Sequence, residues 1–175
     1  EALDEFRELV TLPCYEWEHV LIMPAGHPLA ERDPLTLEAI AEVPLVTYDP
    51  SFTGRRRVDS AFEQRGLTPQ IALEAIDSDV IKTYVRLGLG VGIVAGMAVD
   101  QRQDSDLVVL DASHLFESSV TKIAFRRGTF LRGYMSAFIE QFAPHLTVRI
   151  QQEAIQLRDQ KERDALFADM ELPVY

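Results

Sequence analysis

Apolar and polar positions alternate along the chain in two rhythms. Short β-branched runs at Val20–Met23, Leu45–Tyr48, Ile71–Ile76, Val91–Ala95, Leu107–Leu110 and Val120–Phe125 predict strands. Between them the spacing predicts helices over Thr36–Ala41, Arg55–Arg65, Asp79–Leu87, Met97–Gln101 and Phe130–Phe142. The segment Val148–Met170 is charged and glutamine-rich, with an apolar stripe at Ile155, Leu166 and Phe167, and predicts one surface helix docked by a single face. Strand and helix alternate, so the pattern predicts an α/β fold with mostly parallel sheets. The opening EALDEFREL reads as the end of a further helix.

Punctuation supports these elements. Ser51 or Thr53 can cap the helix from Arg55, and Gly66 supplies its left-handed stop. Asp77 or Ser78 caps the next helix and Gly88 ends it. Two helix N-termini therefore follow strand ends, the edge at which open α/β sheets gather ligands.

With 47% hydrophobic residues in 175, the chain can bury a substantial core, as one large domain or two small lobes. Its longest apolar run, LGLGVGIVAGMAV, falls short of the roughly 20 residues of a membrane span. A formal net charge of −11 repels phosphate backbones and disfavours direct binding of DNA or RNA. One cysteine, Cys14, excludes an internal disulfide and makes a reducing cytoplasm the simplest address. No basic segment followed by an apolar core opens the chain, so a signal peptide is expected to be either absent or already removed. The sequence begins without Met inside an apparent helix end, from which we expect further residues upstream.

Candidate chemistry is binding rather than catalysis. LGLGVGIVAG has its helix before the glycines and its strand after them, the reverse of a dinucleotide fingerprint, so Gly90 and Gly92 read as tight-turn and close-packing positions. His19, His27, His114 and His145 are scattered without metal-ligand spacing, and no nucleophile elbow or phosphate loop is present. Asp77 and Asp79 read as helix-start residues rather than an acid/base pair. No catalytic residue, metal or cofactor is expected.

PSFTGRRR, Pro50 to Arg57, stands apart. Ser51, Thr53, Gly54 and the free N–H groups of the following turn form a nest suited to an oxyanion such as sulfate or a carboxylate. Three arginines follow where the helix dipole disfavours cations, which implies an anionic group nearby. Successive helical residues are about 100° apart, so the three cannot all face one ligand. The sole tryptophan, Trp17, precedes a strand, where an aromatic is more often core than contact.

PAGHPLA, LTLEAIAEVPLVTYDPSFTGR, DSDVIKTYVRLGLGVGIVAGMAVD and TKIAFRRGTFLRGYMSAFIEQFAPHLT together resemble the effector-binding domain of LysR-type transcriptional regulators, most of all the CysB-like branch, with the related Cbl branch sharing much of the pattern. The resemblance covers essentially the whole chain. It implies a periplasmic-binding-protein-like (type II) α/β fold of two lobes with the effector in the cleft between them. Residues 1–12 would end the first lobe, 13–116 form the second, and 117–175 return to the first and add the final helix. The opening of the first lobe and the N-terminal winged helix-turn-helix would lie outside this sequence, leaving the first lobe incomplete. The implied function is sensing in sulfur assimilation and cysteine biosynthesis, with sulfate, N-acetylserine or O-acetylserine as effector. Thr53 and Trp17 match positions that line the family's site; with Ser51, Gly54 and Arg55 they form the expected anion-binding set, while Arg56 and Arg57 depart from the family pattern. The resemblance further implies a cytoplasmic homo-oligomer, a tetramer at full length, that meets promoter DNA through the absent domain and no membrane. A periplasmic-type oxyanion-binding protein shares the architecture and is the alternative.

Overall fold

The computed structural model describes Phe6, Glu8–Leu157 and Asp159–Tyr175. Its strands are β1 (Leu9–Trp17), β2 (His19–Pro24), β3 (Leu45–Tyr48), β4 (Ile71–Ala75), β5 (Val91–Ala95), β6 (Leu107–Asp111) and β7 (Ser119–Arg126). Its helices are α1 (Leu37–Ala41), α2 (Thr53–Gln64), α3 (Ser78–Arg86), α4 (Gly133–Phe142), α5 (Val148–Gln156) and α6 (Gln160–Phe167). Short 3-10 turns occupy Pro28–Glu31 and Gly96–Ala98, the second where a helix from Met97 to Gln101 was expected.

The chain divides into two compact units, one through Glu16 and from Val120 to Val174, the other Trp17–Ser119 with Tyr175. The second is built on a five-stranded sheet of order β4-β3-β5-β2-β6. β3 runs parallel to β4 and β5, but β2 runs antiparallel to β5 and β6, so the sheet is mixed rather than mostly parallel. The apolar runs show which strands are buried but carry no strand direction.

Both faces of this sheet are covered, which accounts for the near-continuous apolar runs. Leu21, Met23, Leu45, Val91 and Ile93 point toward Val58 and Phe62 of α2. The alternate positions Ile22, Val46 and Val94 pack with Ile81 and Val85 of α3. A Cβ on Gly92 would stand 2.6 Å from Ile22 and 2.9 Å from Val85, and one on Gly90 would strike the Pro44 carbonyl. These glycines pack strand against strand and helix, and Gly88 closes α3 at φ +77°.

In the other unit β1 pairs with β7, and Val10, Leu12 and Cys14 share a core with Ile139, Ala143, Leu146 and Ala154. β1 was not expected, because Pro13 interrupts its apolar run; the helix reading of EALDEFREL falls mostly outside the described residues. The single final helix is also corrected. Leu157 is extended and Asp159 caps a new helix by accepting from the Glu162 N–H, so the stripe belongs to two helices. Tyr134 and Phe138 of α4 are 69% and 60% exposed, an apolar face on this unit.

Candidate functional site

β3 hands over to α2 through a tight turn. The Phe52 N–H donates to the Asp49 carbonyl at 3.0 Å, and the Asp49 carboxylate accepts from the Ser51 N–H at 2.9 Å and the Ser51 hydroxyl at 2.6 Å. Ser51 is thereby turned away from capping. The helix begins at Thr53, its N-cap is Phe52, and no side chain caps it. The expectation that Ser51 or Thr53 caps this helix is corrected: Ser51 serves Asp49, and Thr53 already lies inside the first turn. At that uncapped end the first N–H groups have no intrahelical acceptor, and the exposed Thr53 hydroxyl makes no hydrogen bond among the described residues.

Gly54 is buried, and the space a Cβ would need is taken. It would stand 2.8 Å from Cη2 of Trp17 and 3.3 Å from Nε2 of His19. Half-buried Trp17, the last residue of β1, thus lies against the first turn of α2. Its ring centroid is 5.0 Å from that of His19, whose ring meets Phe116 edge-on at 5.4 Å.

His19 is the residue that motif reading passed over. It is fully buried, and among the described residues neither ring nitrogen makes a well-formed hydrogen bond. Burial above all lowers its pKa to about 4; the Gly54 backbone pulls the other way and the Arg57 charge adds to the fall. Period-two alternation in HVLIM does place His19 on the α2-facing side with Leu21 and Met23.

The three arginines separate as helical spacing requires. Arg55 is buried; its Nε donates to Asp59 at 2.7 Å and its Nη1 to the Tyr48 carbonyl and Glu74 at 2.8 Å each. Burial opposes its charge, but these bonds outweigh burial and raise its pKa. Arg55 therefore ties α2 to the ends of β3 and β4. Arg57 pairs with Glu117 at 2.9 Å, while Arg56 is exposed. The protein's own carboxylates supply much of the anionic surroundings that the arginine run implied.

A second polar cluster lies at the far end of α3. Buried Asp104 accepts from Lys82 Nζ at 3.0 Å, Arg86 Nη2 at 2.8 Å and the Asp100 N–H at 2.9 Å. Burial would raise its pKa, but these donors hold it down to about 2. Asp77 and Asp79 belong to the start of α3, where Asp77 accepts from the Asp79 and Val80 N–H groups.

The α2 end offers N–H groups, one free hydroxyl and an aromatic wall, a set with the chemistry to accept an oxyanion or carboxylate. Among the described residues no cluster of three histidine, cysteine or carboxylate side chains has metal-site geometry, and no helix is long and apolar enough to cross a membrane.

A family model described as the LysR substrate binding domain matches residues 2–147. The HTH-type transcriptional regulator SsuR of Burkholderia cenocepacia is 56% identical over 146 residues, 83% of this chain and 47% of that protein. The HTH-type transcriptional regulator CysB of Haemophilus influenzae is 51% identical over 172 residues, 98% of this chain and 53% of that protein. The chain thus spans about half the length of these relatives. Among solved structures, the cofactor-binding domain of the Cbl transcriptional regulator superposes with a TM-score of 0.83 at 42% identity, covering 90% of this chain and 69% of that domain.

Proposed function

Because the chain belongs to the LysR substrate-binding-domain family, related to the regulators CysB, SsuR and Cbl, we propose that it senses the effector in a regulator of sulfur assimilation. Sulfate or an acetylserine-type inducer docks at the N-terminus of α2. The carrying observation is the exposed, unpartnered Thr53 hydroxyl beside an uncapped helix end walled by Trp17. Thr53 donates its hydroxyl to the anion, the backbone at Gly54 approaches it without a side chain, and Trp17 bounds it. Ser51 and Arg55 hold the loop and the helix in place through Asp49, Asp59 and Glu74.

Residues 13–116 are the second lobe on this reading, and 1–12 with 117–175 are part of the first. That first lobe is completed by chain outside this sequence, in keeping with the 69% coverage of the Cbl domain and the bare α4 face. Effector binding shifts the conformational balance of a cytoplasmic homo-oligomer, a tetramer at full length, whose DNA contacts lie in a separate domain.

A gel-shift assay tests this division of labour. The full-length regulator is expected to retard a sulfur-assimilation promoter in an effector-dependent way, while this chain alone, at net charge −11, does not distinguish that promoter from random DNA. Discrimination by the isolated chain overturns the reading.

A further inference from the structure

His19 has no place in the binding chemistry described so far, yet it carries the largest unmet hydrogen-bonding capacity near α2. Among the described residues both nitrogens of this fully buried imidazole lack a well-formed hydrogen bond, an arrangement that folded proteins rarely keep without a use. The ring is fixed between Trp17 and Phe116, and its Nε2 is directed at Gly54, in the first turn of the uncapped helix.

We propose that His19 is a proton-linked positioning residue for the anion site: an oxyanion bound at the N-terminus of α2 draws a proton onto the His19 ring. This rests on the anion site proposed above. The ring and the anion would face opposite sides of the same glycine, with His19 acting through the Gly54 backbone and the Trp17 wall rather than by contact.

The protein's own charges around the ring are mixed, so the charge of the bound anion sets the direction. On α2, Arg57 disfavours imidazolium, and its own charge is paired with Glu117 from the segment that carries Phe116. Glu18 precedes His19 in sequence; Asp111 and His114 belong to β6 and the turn after it, whose Ala112 N–H donates to the His19 carbonyl. Without ligand, burial holds the ring neutral, with a pKa of about 4. An anion accepting the Gly54 N–H would bring its negative charge to the residue that His19 Nε2 faces, near enough to favour the charged form of the ring. A group whose pKa rises on binding takes up a proton, so binding tightens as pH falls. Sulfate remains dianionic throughout, and the Asp49 carboxylate, its pKa lowered by Ser51, remains ionised.

Isothermal calorimetry of the full-length regulator with sulfate, in paired buffers of different ionisation heat, counts the protons. The expected result is uptake of more than about half a proton per sulfate at pH 5.5, close to none at pH 8, and affinity about tenfold tighter at pH 5 than at pH 7.5. His19→Gln, if folded by circular dichroism, should bind sulfate without that uptake. Binding of sulfate with no proton uptake in the unsubstituted protein overturns the inference and leaves the anion site standing. The same uptake in folded His19→Gln also overturns it. Absence of binding by both sulfate and N-acetylserine at every pH overturns the anion site and this inference together.

Discussion

Thr53→Val in the full-length regulator is expected to weaken sulfate binding about 10- to 150-fold, the equivalent of roughly 1.5 to 3 kcal/mol for a hydrogen bond to a charged group. Valine preserves the branched shape and removes only the hydroxyl. That hydroxyl is exposed, makes no hydrogen bond among the described residues and does not cap the helix, so stability should change little. Calorimetric affinity together with the thermal midpoint separates the two effects. Unchanged affinity in a folded variant moves the ligand away from SFTG.

Asp104→Asn is expected to cost about 3 kcal/mol of stability, because it leaves the buried Lys82 ammonium and the Arg86 guanidinium without their shared carboxylate. Lys82 keeps Asp79 at 2.8 Å and the Ala98 carbonyl at 3.0 Å, and Arg86 keeps Asp106 at 2.7 Å, which places the loss at or below the lower end of the range for a broken buried pair. The pH dependence follows from the lowered pKa. Asp104 titrates near 3.8 when unfolded and about 2 when folded, so its contribution is complete above the unfolded value and is lost as pH falls toward 2. Urea unfolding between pH 5 and 2 should show a steeper loss of stability in the unsubstituted chain than in Asp104→Asn. Parallel curves would remove Asp104 from the acid response.

What could be read in advance was whatever depends on local periodicity. Val91–Ala95 and Leu45–Tyr48 form as strands with the expected limits, and Asp77 caps α3 as its side chain allows. Strand direction was not legible, since apolar alternation is the same whichever way β2 runs. Nor was the partition of the arginines: Arg55 finds Glu74, 19 residues away, and Arg57 finds Glu117, 60 residues away, pairings that only the folded sheet brings together. The break at Leu157 hides within a charged segment that contains neither glycine nor proline. At the site, residue types suggested the nest, but Ser51 had an equally good local acceptor in Asp49, two residues back. His19 was missed because isolated histidines carry no motif. Its burial beside Gly54 depends on the β1–β2 junction meeting α2.

Trp17 is the only tryptophan in this chain, and its ring lies against the residue where the anion is proposed to dock. Its fluorescence, recorded in the full-length regulator with any other tryptophan replaced by phenylalanine, therefore reports on that site most directly. Sulfate and N-acetylserine, titrated separately, should each change the Trp17 emission saturably, chloride at equal ionic strength should not, and Thr53→Val should shift both curves to higher concentration. Calorimetric binding of either effector with no change in Trp17 emission, or curves that Thr53→Val leaves in place, would contradict an effector site at the N-terminus of α2.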